Sequence, residues 1–417
     1  MNSPILRLAR RAFCATAAAL LAGCVTYTAA PTDLDSVAAD VAQRSGGTFT
    51  VDEAIATALR QNPELRALEA ELRASDAAQL VPLQAQGEWR GGPETLGLVL
   101  DPIGLLGLGT RGAQQDLAAA ELARAAEQLA TARWRTAVAV SEAFVVDAAL
   151  TALEVPDVAL DVSAFERAGL ASPLAAARLR AAQARAASER AELTTMRERN
   201  LAKLRYLLGL PRGATIVCAP LPPDHLQQPA GDDASLRMRP DLRLAVERYR
   251  TADAAFRVAV WEQYPMPMLG PDIMLGGGPL QWMGMLRWPL LQQGIARAAG
   301  ERRDAARATL EDALLEAHRG ATDAELALTA AQATVAATGA ARDAALQALD
   351  AAKAALEVQG DAFDRFAEAA AMSLRETMEH RVATERAARA ATQRAMAFGW
   401  PLSVAATTPL AIAQEAR

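Results

Sequence analysis

Asn62-Pro63-Glu64-Leu65-Arg66 and Arg239-Pro240-Asp241-Leu242-Arg243 are two versions of one pentapeptide, with prolines 177 positions apart (63 and 240). Proline has no amide hydrogen and its φ is fixed near the helical value. At the first helical position, behind a capping Asn, it therefore starts a helix without losing a hydrogen bond. The same offset sets Arg73, Asp76, Ala77 and Ala78 against Arg250, Asp253, Ala254 and Ala255 with no gap. Agreement over that interval indicates internal duplication. The chain is read as two tandem structural repeats, 50–210 and 238–402, joined by a connector at 211–237.

Outward from either motif the same order is expected. Thr50-Val51-Asp52-Glu53 is a capping box, in which hydroxyl and carboxylate each satisfy an exposed backbone amide. The helix it starts is interrupted at Asn62-Pro63 and runs on to about Leu80. Gly87, Gly91, Gly92, Gly97, Gly104, Gly107 and Gly109 then crowd a stretch holding Trp89 and Leu96-Gly97-Leu98-Val99-Leu100. That composition predicts a short β-hairpin over about 83–111. From Ala113 the helical signal returns. Ala118, Leu122, Ala125, Leu129 and Ala132 alternate spacings of four and three, with Glu121, Arg124, Glu127 and Arg135 on the other sides. This is a coiled-coil seam whose small knobs let helix backbones approach closely. Pro156 predicts a kink, Ala168-Gly169 a break, and Ser172-Pro173 a restart that runs to about Leu208. The connector holds Pro220, Pro222, Pro223 and Pro229, with one short strand near Thr215–Cys218. In the second repeat a hairpin over about 265–292 precedes helix from about Ile295, a break near Gly360, helix again to about Phe398, and a tail at 403–417.

Bulk composition agrees with a mainly α chain. Of the 417 residues 52% are hydrophobic but only 4% aromatic, so Ala supplies much of the apolar content. Ala loses no side-chain entropy in a helix, and such a chain suits long helices in close contact. The net charge of −6, without a basic run beyond the N-terminus, gives no reason for a nucleic-acid partner. His225, His318 and His380 show no ligand spacing, and no phosphate loop, nucleophile motif or catalytic carboxylate pair stands out. The reading is a non-enzyme without cofactor or metal. A helical run from Ala113 to Ala168 would reach about 85 Å, too long for a compact domain. Two such hairpins leave apolar faces that one chain covers only in part, so an oligomer is expected from burial.

Arg7, Arg10 and Arg11 precede a short apolar stretch, Ala12–Leu20, too short to span a bilayer. Leu21-Ala22-Gly23-Cys24 follows and resembles the lipobox of bacterial lipoproteins. That resemblance implies removal of residues 1–23, a lipid on Cys24, and a tether at 24–49. Val25, rather than Asp, implies sorting to the outer membrane. Cys218 then stands as a lone, packed small residue.

The Asn62–Arg66 turn, Leu286-Arg287-Trp288-Pro289-Leu290-Leu291-Gln292-Gln293-Gly294 and Arg167-Ala168-Gly169-Leu170-Ala171-Ser172 resemble the TolC-type outer-membrane efflux protein family. The resemblance implies long antiparallel coiled-coil helical hairpins forming an α-barrel, and β-hairpins contributing four strands per chain to a trimeric β-barrel. It implies a homotrimer anchored in outer-membrane lipid, served by a periplasmic adaptor protein and an inner-membrane pump. Only about 20 residues separate Pro82 from Pro102 and about 24 separate Pro265 from Pro289, whereas a spanning strand needs roughly 9–11. A shortened barrel is therefore expected. The alternative is a barrel that stops short of crossing, with the Cys24 lipid as anchor.

By the same resemblance Arg167, Gly169, Leu170 and Ser172 form an adaptor-docking tip, with Gly360 at the second tip. Asp361, Asp364 and Glu368 are candidates for a periplasmic gate, Asp364 and Glu368 lying one turn apart on one face. The expected function is passage of small toxic compounds through an outer-membrane channel of a tripartite efflux system. Rival readings are the exit duct of type I protein secretion and a non-channel periplasmic scaffold lipoprotein. Met266, Met268, Met274, Met283 and Met285 gather in the second hairpin. Met is a soft-metal ligand and also a flexible filler, and the filler reading is preferred.

Overall fold

The computed structural model describes residues 33–78, 85–89, 95–100, 109–152, 155–156, 158–221, 233–274, 281–287, 293–358 and 362–399. The expectations for residues 1–23, Cys24, Gly360, Asp361 and the tail at 403–417 lie outside them. The chain divides into two compact units, Met1–Arg44 and Ser45–Arg417. The first holds α1 (Leu34–Ala42), capped by Asp33, whose carboxylate accepts from the Ser36 amide at 2.6 Å. Within the stretch read as a tether there is thus a helix, and also β1 (Gly47–Phe49), which belongs to the second unit.

The second unit contains α2 (Val51–Gln61), α3 (Pro63–Ala77), β2 (Ala85–Trp89), β3 (Thr95–Leu100), α4 (Gly109–Thr151), α5 (Val162–Arg167) and α6 (Pro173–Leu207). After β4 (Ile216–Cys218) and α7 (Asp233–Arg237) come α8 (Pro240–Trp261), β5 (Met266–Met274), β6 (Gln281–Arg287), α9 (Gln293–Val358) and α10 (Phe363–Ala397). The order helix, hairpin, long helix, helix occurs twice, and α6 and α10 are each 35 residues long.

The two pentapeptides sit in matching places. Asn62 caps α3, accepting from the Glu64 amide at 2.9 Å, while its amide nitrogen donates to the carbonyl of Leu207, the last residue of α6, at 3.3 Å. Arg239 makes no cap bond. Its guanidinium donates instead to the carbonyl of Ala397, the last residue of α10, at 3.0 Å. Helix ends expose carbonyls that lack intrahelical donors, and each motif supplies one.

The principal core joins α2, α4 and α6: Ile55 and Ala58 meet Val140 and Phe144, and Leu201, Leu204 and Leu208 close the other side. Burying Phe144 contributes about 1.5–3 kcal/mol relative to leaving it in water. β1 and β4 pair in parallel beside this core, from Gly47↔Ile216 to Phe49↔Cys218. A Cβ on Gly46 would lie 2.0 Å from the Thr215 carbonyl oxygen, so only glycine lets the two segments come this close.

Four strands form one antiparallel sheet in the order β2-β3-β5-β6. Their lengths are 5, 6, 9 and 7 residues. The β3–β5 ladder pairs Gly97 with Asp272 and Leu100 with Leu269 and is interrupted between them, opposite Gly270 and Pro271. Pro271 has no amide hydrogen to give there, while the β5–β6 ladder continues through Pro271↔Trp282.

The expected rod from Ala113 to Ala168 is corrected. α4 stops at Thr151, residues 158–160 are non-helical, and α5 starts only at Val162. Pro156 does more than kink the helix because neighbours hold the non-helical form. Gln183 of α6 donates to the carbonyls of Val158 at 3.2 Å and Leu160 at 2.9 Å, and Arg190 donates to that of Pro156 at 3.3 Å. α9 contains no proline and runs unbroken for 66 residues, about 100 Å.

Candidate functional site at the helical tips

Asp161 starts α5. Its carboxylate accepts from the Ser163 hydroxyl at 2.6 Å and from the amides of Ser163 and Ala164, and these bonds, the Ser163 hydroxyl first, hold its carboxyl below the usual range. The helix ends one turn later in a Schellman motif: the Leu170 amide donates to Phe165 and the Gly169 amide to Glu166. Gly169 has φ +72°, a conformation that a side chain would strain. Ser172 then caps α6, accepting from the Ala175 amide at 3.2 Å, with Pro173 at the first helical position.

This turn displays Arg167, whose Nε donates to the Ser163 carbonyl at 3.2 Å, together with exposed Leu170 and Leu174. It is a small surface carrying one cation and two apolar side chains. Behind it Phe165 packs on Phe363 with ring centroids 5.0 Å apart. A second core joins Val158, Val162 and Leu179 to Phe366, Ala370 and Leu374. The tip is therefore rigidly backed.

Sequence reasoning assigned Ser172 to one tip and Asp364 to a separate gate. The structure brings them together. The Ser172 hydroxyl lies 2.9 Å from Oδ2 and 3.1 Å from Oδ1 of Asp364. Glu368 is exposed on the same helix, one turn further on.

Sequence reasoning missed a charged pair higher up. Glu189 of α6 and Arg381 of α10 are both buried, with Nε and Oε1 2.5 Å apart. The guanidinium also lies 3.6 Å from Glu192 and 3.0 Å from the Met196 sulfur. The close contact is poorly aligned for hydrogen bonding, and both Glu189 oxygens lack a well-directed donor. Burial accordingly pushes the Glu189 carboxyl up, opposed by Arg381 and reinforced by Glu192. The signal was present: Ala175, Leu179, Ala182, Ala186 and Glu189 continue one seam at spacings of three and four.

Among the described residues no three His, Cys, Asp or Glu side chains gather as a metal site, and no helix is long and apolar enough to cross a membrane.

No protein-family model and no curated protein matches the chain. Solved structures do. The outer-membrane channel OprN is 20% identical, with a TM-score of 0.69 over 90% of this chain and 98% of that one. The outer membrane protein VceC of Vibrio cholerae is 18% identical, with a TM-score of 0.65 over 84% and 96%. The open-state MtrE outer membrane channel of Neisseria gonorrhoeae is 18% identical, with a TM-score of 0.64 over 84% and 88%. The chain has the TolC-type outer-membrane channel fold. In that fold the four-stranded sheet and the helical tips lie at opposite ends of the long helices, as α9 shows by running from just after β6 to just before α10. At these identities the likeness establishes architecture; the chemistry of the tip is this chain's own.

Proposed function

We propose that this chain is the outer-membrane channel subunit of a tripartite efflux system, carrying small toxic compounds outward from the periplasm or the pump. The observation that carries the reading is the pairing of a four-stranded antiparallel sheet with a 66-residue helix in one chain. An open sheet has unpaired edges, and β2 and β6 are those edges. In lipid such edges are unsatisfied unless the sheet closes. Three copies supply twelve strands, which close a barrel, while the long helices close a tunnel beneath it.

The longest strand, nine residues tilted at about 45°, rises about 22 Å, slightly under the roughly 25 Å apolar band of such barrels. A short barrel thus suits these lengths, and a lipid on Cys24 adds a second anchor in the outer membrane. At the far end Arg167, Gly169, Leu170 and Ser172, with Gly360 of the second tip, offer the adaptor its contact. Asp361, Asp364 and Glu368 lie beside that contact in sequence, and the Ser172–Asp364 bond links docking surface to gate. Transport here is gating and passage, with no bond chemistry.

Reconstitution of the purified chain in planar bilayers tests the reading. Discrete conductance steps are expected. Insertion without any step contradicts a pore and favours the scaffold alternative.

A further inference from the structure

Strand register assigns each residue of the four-stranded sheet to one of its two faces. Residues paired across an antiparallel ladder share a face, and along a strand the faces alternate. Followed through Trp89↔Leu96, Leu96↔Ile273 and Leu269↔Gly284, one face collects Leu96, Leu98, Leu100, Leu269, Ile273 and Leu286, and no charged residue. The charged residues of the four strands, Glu88, Asp272 and Arg287, all fall on the other face, together with Gln86 and Gln281. In a membrane barrel the apolar face meets lipid and the polar face lines the lumen.

The five methionines of β5 and β6 fall on the polar face. Met266, Met268 and Met274 lie an even number of residues from Asp272, and Met283 and Met285 an even number from its partner Gln281. Methionine used as apolar filler belongs against lipid, and none of these is on that face. Three of them are register neighbours. Met268 pairs directly with Met285, and Met283 pairs with Gly270, which has no side chain. Opposed positions in such a ladder are about 4.5–5.5 Å apart and diagonal ones about 7–8 Å. Three thioether-bearing positions therefore surround the bare position at Gly270. The next residue of β5 on that face is Asp272, which shares a row with Glu88 through Gly97. The one cation, Arg287, stands at the far end of the ladder, opposite Met266. Thioethers are soft, uncharged ligands that select Cu(I)-like ions over hard cations.

We propose that Met268, Met283 and Met285, around Gly270, form a binding site for a soft monovalent cation, Cu(I) or Ag(I), on the lumen wall of the barrel. The carboxylates of Glu88 and Asp272 draw the cation to the row beside the three methionines. The trio follows from register within one chain, while its place in a lumen rests on the pore reading above.

Silver(I) in chloride-free nitrate buffer tests it. The full-length, detergent-extracted chain carries Cys218→Ser, which removes the competing thiol among the described residues. It is expected to retain about one silver per copy after desalting, read by elemental mass spectrometry, with sulfur neighbours in X-ray absorption. Met268→Leu, Met283→Leu and Met285→Leu together conserve side-chain volume and should lower the retained silver at least tenfold. Met266→Leu with Met274→Leu, outside the trio, should retain it. In planar bilayers silver should reduce the conductance of the parent and leave the triple variant, which keeps its steps without silver, unaffected. A triple variant that retains silver like its parent, or a pair variant that loses it equally, overturns the site while the pore reading stands. A parent without conductance steps removes the pore reading instead, and silver that depends on the trio still supports the site.

Discussion

The Ser172 hydroxyl bridges two elements: it donates to the Asp364 carboxylate, 2.9 Å from Oδ2, and accepts from the Ala175 amide at 3.2 Å. Ser172→Ala removes both bonds. Loss of a Ser cap costs about 0.5–2 kcal/mol, which raises local opening roughly 2- to 30-fold. Amide exchange at Ala175 should accelerate by that factor in the variant. Asp364→Asn keeps the cap and should leave Ala175 nearly unchanged. Equal effects from both substitutions would contradict this arrangement.

Glu189 and Arg381 form a buried pair 2.5 Å apart between α6 and α10. Arg381→Met leaves a buried carboxylate uncompensated and should destabilise by about 3–5 kcal/mol. The double variant Glu189→Gln, Arg381→Met should recover most of that loss, as read from thermal unfolding. Because burial raises the Glu189 carboxyl from its ordinary value near 4.5, the folded chain holds this proton longer than the unfolded one as pH rises. Its stabilising contribution is therefore complete below the ordinary value and is lost as pH climbs through the raised one. Glu189→Gln should flatten that slope, and an unchanged slope would assign it to other groups.

Cys218 packs against the core beside Asp147, and its thiol is pushed up to about 12, burial being the main cause and Asp147 the second. The reactive species is the thiolate. Maleimide at mildly alkaline pH should leave Cys218 unmodified in the folded protein and label it fully in denaturant, as peptide mass mapping will show. Rapid labelling of the native chain would contradict the packing described.

Gln183 donates to two carbonyls of the non-helical stretch, at Val158 and Leu160. Gln183→Ala leaves them without that donor, at about 1–3 kcal/mol. Limited proteolysis between Val158 and Leu160 should then speed up roughly 5- to 150-fold, if cleavage follows local opening. Pro156→Ala, by contrast, leaves those bonds in place and should leave the stretch non-helical. Conversion to helix in that variant, seen as slowed exchange across 155–160, would show that proline alone enforces the break.

Much of this was legible in the sequence because it depends on local chemistry. The capping box at Thr50 and Glu53, the caps at Asn62 and Ser172 and the stop at Gly169 concern groups a few residues apart, and each is found where expected. The four strands were legible from clustered glycine. The break between Thr151 and Val162 was not, because helix propensity continues on both sides and the bonds that hold the non-helical form come from α6. The joining of Ser172 to Asp364 likewise spans 192 residues and no local pattern encodes it. Glu189 and Arg381 could have been found as charges at apolar seam positions. Their partnership could not, since seam spacing marks the face of a helix and leaves its neighbour unnamed.

Cryo-EM of the detergent-extracted particle tests the central claim most directly. Three copies enclosing one continuous lumen, with twelve strands at one end, is the expected result. A compact single-copy particle, or an assembly with no lumen along its axis, would contradict it.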